Sequence, residues 1–177
     1  MRRILVLICL LALLVPAASA GEARRGDGTL SIRDGRGTVV VQARGAVIGQ
    51  LTRLERNGKL VIEDPVENDG SEPRVVGADW ARERPDGTLV YGGKAIRFRV
   101  IGGRFVLRIT NAVGLQLSVV GRGRVTLDGA GSLENGIIYD GVYSLNGGET
   151  VSLPDEPTTL RLGPSTTTVV RAAASVR

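Results

Sequence analysis

Apolar and polar residues alternate along most of the chain beyond residue 26, in short runs separated by Gly, Asn-Gly or Asp-Gly. This period of two places successive side chains on opposite faces of a strand, and turn residues at intervals of about 8–12 residues are typical of all-β proteins. No stretch shows a sustained helical period, although Asp79–Arg84 is compatible with a short helical turn. The predicted strands are Thr29–Arg33, Thr38–Ala43, Val47–Thr52, Lys59–Glu63, Arg74–Val76, Thr88–Tyr91, Lys94–Ile101, Arg104–Thr110, Gly114–Val120, Arg124–Asp128, Ile137–Tyr139, Val142–Leu145, Thr150–Leu153, Thr159–Leu162 and Thr167–Arg171.

The segment from Lys94 to Asp128 predicts a four-stranded antiparallel meander. Two-residue turns with glycine suit hairpins because glycine adopts positive φ, so Gly102-Gly103 is expected to set Val100 opposite Phe105. Turns at residues 111–113 and 121–123 continue the meander and keep every apolar residue on one face, since a slip of one residue would expose half of them. The predicted apolar face consists of Ile96, Phe98, Val100, Phe105, Leu107, Ile109, Leu115, Leu117, Val119, Val125 and Leu127.

The length and the turn spacing favour a single domain. At 177 residues one domain is expected. We predict an antiparallel all-β domain over residues 26–171, either a β-sandwich or a partly closed β-barrel, with a flexible tail at residues 172–177. A second hairpin across Gly35-Arg36 is expected to pair Leu30 with Val41 and Ile32 with Val39. Repeated Gly-x-Gly turns leave a β-helix as an alternative fold.

The first twenty residues have the three parts of a secretory signal peptide. Arg2 and Arg3 form a basic start, Ile4–Val15 is an apolar run, and Ala18-Ser19-Ala20 provides the small residues of a cleavage site. The apolar run is shorter than the about 20 residues that a membrane-spanning helix needs. We therefore expect cleavage after Ala20 and export, giving a periplasmic, cell-surface or extracellular protein without a transmembrane segment in its mature chain.

The composition excludes several kinds of catalytic and metal site. The chain has no histidine and a single cysteine, Cys9, which lies in the predicted signal. Histidine acid–base chemistry, disulfides and thiolate zinc sites are therefore not expected, and no motif indicates a cofactor. The acidic stretch Glu63–Glu72 lacks the spacing of a calcium loop, and its prolines favour a plain connector. Paired carboxylates remain as catalytic groups, which leaves a carboxylate-dependent glycan hydrolase as an alternative to a non-enzymatic function.

Arginine supplies most of the positive charge and marks a candidate binding face. The chain has 23 Lys and Arg against 18 Asp and Glu, a net charge of +5, and loss of Arg2 and Arg3 with the signal leaves +5 − 2 = +3. Like charges on facing strands are destabilising, so arginines on the outer face of the meander indicate a site for an anionic envelope polymer or a lipid headgroup. Alternatively, their stems cover apolar surface while their heads remain in water. The low charge and 3% aromatic content argue against nucleic acid. The candidate anion-binding residues are Arg97, Arg99, Arg104 and Arg108.

The stretch Val90–Gly129, VYGGKAIRFRVIGGRFVLRITNAVGLQLSVVGRGRVTLDG, resembles a group of small exported glycine-rich β proteins from high-GC bacteria, and Gly26–Gly49 resembles them more loosely. The resemblance implies export and a β fold, and it carries no activity, cofactor or functional residue. With the signal and the composition, it favours an exported, non-enzymatic envelope or extracellular protein with a structural or binding role. Its expected partner is an anionic envelope polymer or another envelope protein.

Overall fold

The computed structural model describes residues 26–64, 72–131, 133–134, 137–138 and 140–164. These residues form β-strands and no helix. The predicted signal peptide, the middle of the acidic stretch, the predicted strand Thr167–Arg171 and the predicted tail lie outside the described residues. No described segment forms an apolar helix of membrane-spanning length.

Two long strands organise the sheet. β1 (Gly28–Glu63) has 36 residues and β6 (Arg104–Gly129) has 26. Bends divide each of them into straight segments, and each segment pairs with different neighbours in the sheet. All strand pairings among the described residues are antiparallel. The remaining strands are β2 (Arg74–Val76), β3 (Trp80–Glu83), β4 (Leu89–Gly92), β5 (Lys94–Val100), β7 (Leu133–Glu134), β8 (Ile137–Ile138), β9 (Val142–Leu145), β10 (Val151–Ser152) and β11 (Thr158–Leu162).

Three neighbouring strands form the centre of the sheet. The middle one is residues 37–54 of β1, with residues 112–129 of β6 on one edge and β5 followed by residues 104–109 of β6 on the other. Residues 37–54 of β1 pair with residues 112–129 of β6 in one register, from Thr38 opposite Asp128 to Leu54 opposite Ala112. The other edge of the same β1 segment pairs first with β5 and then with residues 104–109 of β6. Residues 101–103 therefore join two strands that lie end to end beside β1.

The three central strands bend together at a line of glycines. Gly45 of β1 lies opposite Gly121 of β6 on one side, and its backbone N–H donates to the carbonyl oxygen of Gly103 at 2.9 Å on the other. Gly45 and Gly121 both have φ of +154°, and a Cβ on either would collide with a backbone carbonyl of the facing strand. Only glycine permits this close approach. We call Gly45, Gly103 and Gly121 the fold line.

The fold line divides the sheet into two wings. The first wing has the order β10, β9, 28–33, 113–121, 45–54, β5, β2, and the second has the order β11, 121–129, 37–44, 104–110, 59–63, β4, β3. The inner faces of both wings contribute to one apolar cluster. The result is a strongly curled antiparallel sheet, a half-barrel, which confirms the predicted all-β class. A β-helix, with its parallel pairing, does not describe these residues.

The predicted apolar face is buried, but the predicted strand neighbours are wrong. All eleven residues of that face lie in the core, from 0% exposure at Phe105 and Leu107 to 3% at Leu117. However, β5 has β1 and β2 on its two edges, and residues 104–110 lie between two segments of β1. Because a strand has only two edges, the hairpin across Gly102-Gly103 does not form. The same glycines instead bend the chain from one wing into the other.

Four other local predictions also differ from the structure. The segment 28–33 pairs with β6 and β9, so the hairpin across Gly35-Arg36 is wrong; this connection also passes between wings. The turns at residues 111–113 and 121–123 do not form hairpins either: β6 passes from the second wing into the first at residues 111–113 and back into the second at residues 121–123. Residues Trp80–Glu83 form a strand paired with β4, which replaces the short helical turn. The errors in the hairpins and turns concern which segments are neighbours, and that depends on contacts far away in sequence. The error at Trp80–Glu83 is local, since β3 pairs with β4 only six residues further on, from Glu83 to Leu89.

Candidate anion-binding face

A shallow groove with an arginine rim crosses the outer face of the first wing. It has a volume of about 590 Å³, and its lining contains four arginines and no Asp or Glu. The arginines come from three strands, β1, β2 and β5, so only the folded sheet brings them together. We call this site the arginine groove, formed by Arg33, Arg74, Arg97 and Arg99.

Strand register explains the positive rim. Arg99 has Arg74 as its direct cross-strand neighbour on β2 and Ile48 as its neighbour on β1. Facing side chains in such a pair are about 5 Å apart, and like charges there are destabilising. One step along, Arg97 lies opposite Gln50, whose other neighbour is Gln116. The groove therefore has guanidinium groups at its rim and neutral side chains at its centre.

No described acid neutralises the arginine groove by an ion pair. The ion pairs among the described residues involve other arginines. The nearest acid along the chain, Asp34, accepts a hydrogen bond from the Gln116 side chain at 2.7 Å. The four groove arginines are exposed, so their charge is available to a ligand from solvent.

A second set of arginines lies across the fold line. Arg44 has Arg104 on one side and Arg122 on the other, which gives three arginines in adjacent strands; we call these the arginine row. Two residues further along β6, Arg124 lies opposite Arg161 of β11. Arg122 forms an ion pair with Asp27 at 3.2 Å. Like-charge neighbours thus occur on the outer faces of both wings.

In comparisons with protein-family models, curated proteins and solved structures, nothing matches this chain significantly. The function must therefore be argued from the residues themselves.

The structure separates the four arginines proposed from the sequence. Arg97 and Arg99 both line the arginine groove. Arg104 belongs to the arginine row in the other wing. Arg108 also lies in the second wing, where its Nε is 3.4 Å from Glu63 and it is thereby partly neutralised. Arg97 and Arg108 do not face each other across the meander, because β5 pairs with β1 and β2 while Arg108 lies between two segments of β1.

Sequence reasoning missed half of the groove. Arg74 lies on β2, which pairs directly with β5. Arg33 is separated from β5 by two intervening strands, residues 113–121 of β6 and residues 45–54 of β1. The available signal was their place at outward-facing positions of predicted strands. That signal alone does not distinguish them from other exposed arginines.

Carboxylate and metal chemistry find little support at this face. The described residues contain no cluster of three or more potential metal ligands of the His, Cys, Asp and Glu types. A separate cavity of about 430 Å³ has Glu55 and Asp128 among its lining residues, together with Arg36 and Arg56. There, Glu55 is engaged by Arg36 at 3.0 Å and by Arg53 at 3.7 Å. The arginine groove offers hydrogen-bond donors and positive charge, and no acid is among its lining residues.

Proposed function

We propose that this protein is an exported, non-enzymatic binding module that holds an anionic ligand in the arginine groove. The observation that carries the proposal is the convergence of four exposed arginines on a groove without a lining acid. The absence of histidine from the chain and the signal-like first twenty residues support a binding role outside the cytoplasm.

Guanidinium chemistry defines the ligand class. Each guanidinium presents a planar set of donors that matches the oxygens of a phosphate or carboxylate, often in a bidentate arrangement. Arg97 and Arg99 project from the same face of β5, and Arg74 lies beside Arg99. A ligand with several anionic groups contacts these residues together and relieves the repulsion between them.

The repulsion also separates a binding role from a structural one. If Arg99 were present for stability, its replacement would destabilise the fold. Because Arg99 directly faces Arg74, we expect Arg99→Ser to leave the free energy of unfolding unchanged or to raise it by about 0.2–1 kcal/mol. The same variant is expected to bind the ligand more weakly.

Titration calorimetry with tripolyphosphate at low ionic strength tests the proposal. We expect the Arg97→Ser/Arg99→Ser variant to bind about tenfold more weakly or worse, since charge-assisted hydrogen bonds are lost. The matched control is Arg82→Ser/Arg84→Ser, which removes the same charge from exposed positions on and next to β3. Its affinity is expected to fall by less than about twofold. Equal losses in both variants, or no binding by the wild type, would show that the groove is not a specific site.

A further inference from the structure

The convex side of the fold line carries exposed aliphatic side chains between the two arginine sets. Ile48 is 49% exposed and Ile101 is 55% exposed. Ile48 lies beside Arg99 and is itself part of the lining of the arginine groove, at the edge nearest the fold line. Ile101 follows Val100, the partner of Val47, and lies two residues before Gly103 of the fold line. The outward positions of β1 thus change from polar to apolar as the strand approaches the bend.

The order of outward residues along β1 shows how the apolar and cationic positions are arranged. Ile48 has Arg99 as a neighbour; Ala46 has Val120 on β6; and Arg44 lies in the arginine row. Outward positions are about 6.7 Å apart along a strand. An apolar crest about two positions wide therefore has guanidinium groups on both sides. We call Ile48, Ala46, Ile101 and Val120 the apolar crest.

The bend itself exposes this crest. At the bend, Gly45 and Gly121 approach the backbone of the facing strand so closely that a Cβ on either would collide with a carbonyl oxygen. Ile48 and Ile101 lie beside this bend, and about half of each side chain is exposed. An aliphatic side chain at such a place cannot be covered by its own sheet, so it is available to a partner.

We infer that this convex edge binds the surface of an anionic lipid bilayer, with Ile48 and Ile101 entering the boundary between headgroups and acyl chains. The arginine groove and the arginine row then contact lipid phosphates on the two sides of the crest. Peripheral membrane proteins combine apolar insertion with attraction of basic residues to anionic lipids in this way. A soluble anionic polymer satisfies the arginines but provides no apolar phase for the two isoleucines. This inference rests on the proposed function and specifies the source of the anion.

Sedimentation with phosphatidylcholine vesicles, with and without a fraction of phosphatidylglycerol, tests the inference. We expect the wild type to bind only the vesicles that contain phosphatidylglycerol, and less strongly as salt increases. Ile48→Ser/Ile101→Ser is expected to weaken that binding by about tenfold or more. The matched control is Leu89→Ser/Val151→Ser, at residues that are 41% and 46% exposed and lie outside the crest. This control is expected to bind as the wild type does.

A second readout avoids dependence on variants that fail to fold. In a Trp80→Phe background, which removes the single native tryptophan, Ile48→Trp is expected to show fluorescence quenching by brominated lipid, whereas Leu89→Trp is not. All forms share the same N-terminal sequence and processing, so any contribution of residues 1–25 is common to them.

The two proposals fail in different ways. Normal vesicle binding by the isoleucine variant, or no vesicle binding by the wild type, overturns the membrane inference. In that case, tripolyphosphate binding that depends on Arg97 and Arg99 still supports the proposed function. Conversely, if tripolyphosphate and anionic vesicles both bind equally well to Arg97→Ser/Arg99→Ser, the proposed function is wrong as well.

Discussion

Gly45→Ala tests the most consequential feature of the fold, the close approach of two strands at the fold line. Gly45 and Gly121 face each other, and a Cβ on Gly45 would collide with the carbonyl oxygen of Val120. Its φ of +154° also lies in a region that side chains other than glycine rarely adopt. The substitution therefore strains the backbone and forces the two strands apart.

The expected cost follows from these two contributions. An unfavourable backbone conformation costs about 1–3 kcal/mol. Separation of the strands adds to it, and we expect the free energy of unfolding to fall by about 4 kcal/mol or more, which is large for a point substitution. Gly87→Ala is the matched control, because Gly87 has φ of +80° but a Cβ added there would meet no atom within 4 Å. It is expected to lose about 1–2 kcal/mol from conformation alone.

A double-mutant cycle in urea, followed by circular dichroism, then isolates the close approach. A Cβ on Gly121 would collide with the carbonyl oxygen of Arg44, across the same gap. Once one alanine has separated the strands, the second should cost less. We expect the double variant to be more stable than the sum of the single losses predicts, by about 1–3 kcal/mol. Losses that add to within about 0.5 kcal/mol would refute the reasoning, because they would mean that the two glycines do not share one contact.

Two further predictions concern the core and a tyrosine. Leu107 is fully buried, so Leu107→Ala is expected to lower the free energy of unfolding by about 2–5 kcal/mol, whereas Leu89→Ala, at a residue 41% exposed, is expected to lose less than about 1 kcal/mol; similar urea midpoints for the two variants would contradict the predicted inner face. Burial raises the pKa of Tyr91 above its ordinary value of 10.0. Its contribution to stability should therefore be complete below pH 10.0 and be lost as the pH rises through the folded-state pKa. In an ultraviolet titration, Tyr91→Phe should remove a transition above pH 10.0, and a curve that retains it would contradict the assignment.

The like-charge neighbours in the arginine groove and the arginine row reduce the stability of the fold. Arg44 has an arginine on each side, and Arg99 faces another across β2. Such pairs reduce stability modestly, by about 0.2–1 kcal/mol each. The screening length is about 8 Å at physiological ionic strength, so salt only partly screens side chains about 5 Å apart, whereas a bound anionic ligand neutralises them. Replacing one of these arginines by a neutral residue is therefore expected to keep or raise the free energy of unfolding and to weaken ligand binding.

The amino-acid sequence by itself determined which side of each strand faces the core. Alternation is a local property, because successive side chains of a strand point to opposite faces whatever lies beside it. Phe98, Leu107 and Leu117 are buried for this reason, although their predicted partners are wrong. The outward direction of Arg97 and Arg99 follows from the same alternation.

Only the tertiary structure decided which strands are neighbours. A pair of glycines permits positive φ in a hairpin and also permits a sharp bend, and the local sequence does not distinguish the two at Gly102-Gly103. The outcome depended on β1, whose residues 37–54 offer both edges to segments that are distant in sequence. Arg33 and Arg74 joined Arg97 and Arg99 through such pairings, while Arg108 was carried to the other wing. A binding face made of several strands is set by register between them, and register is a property of the folded chain.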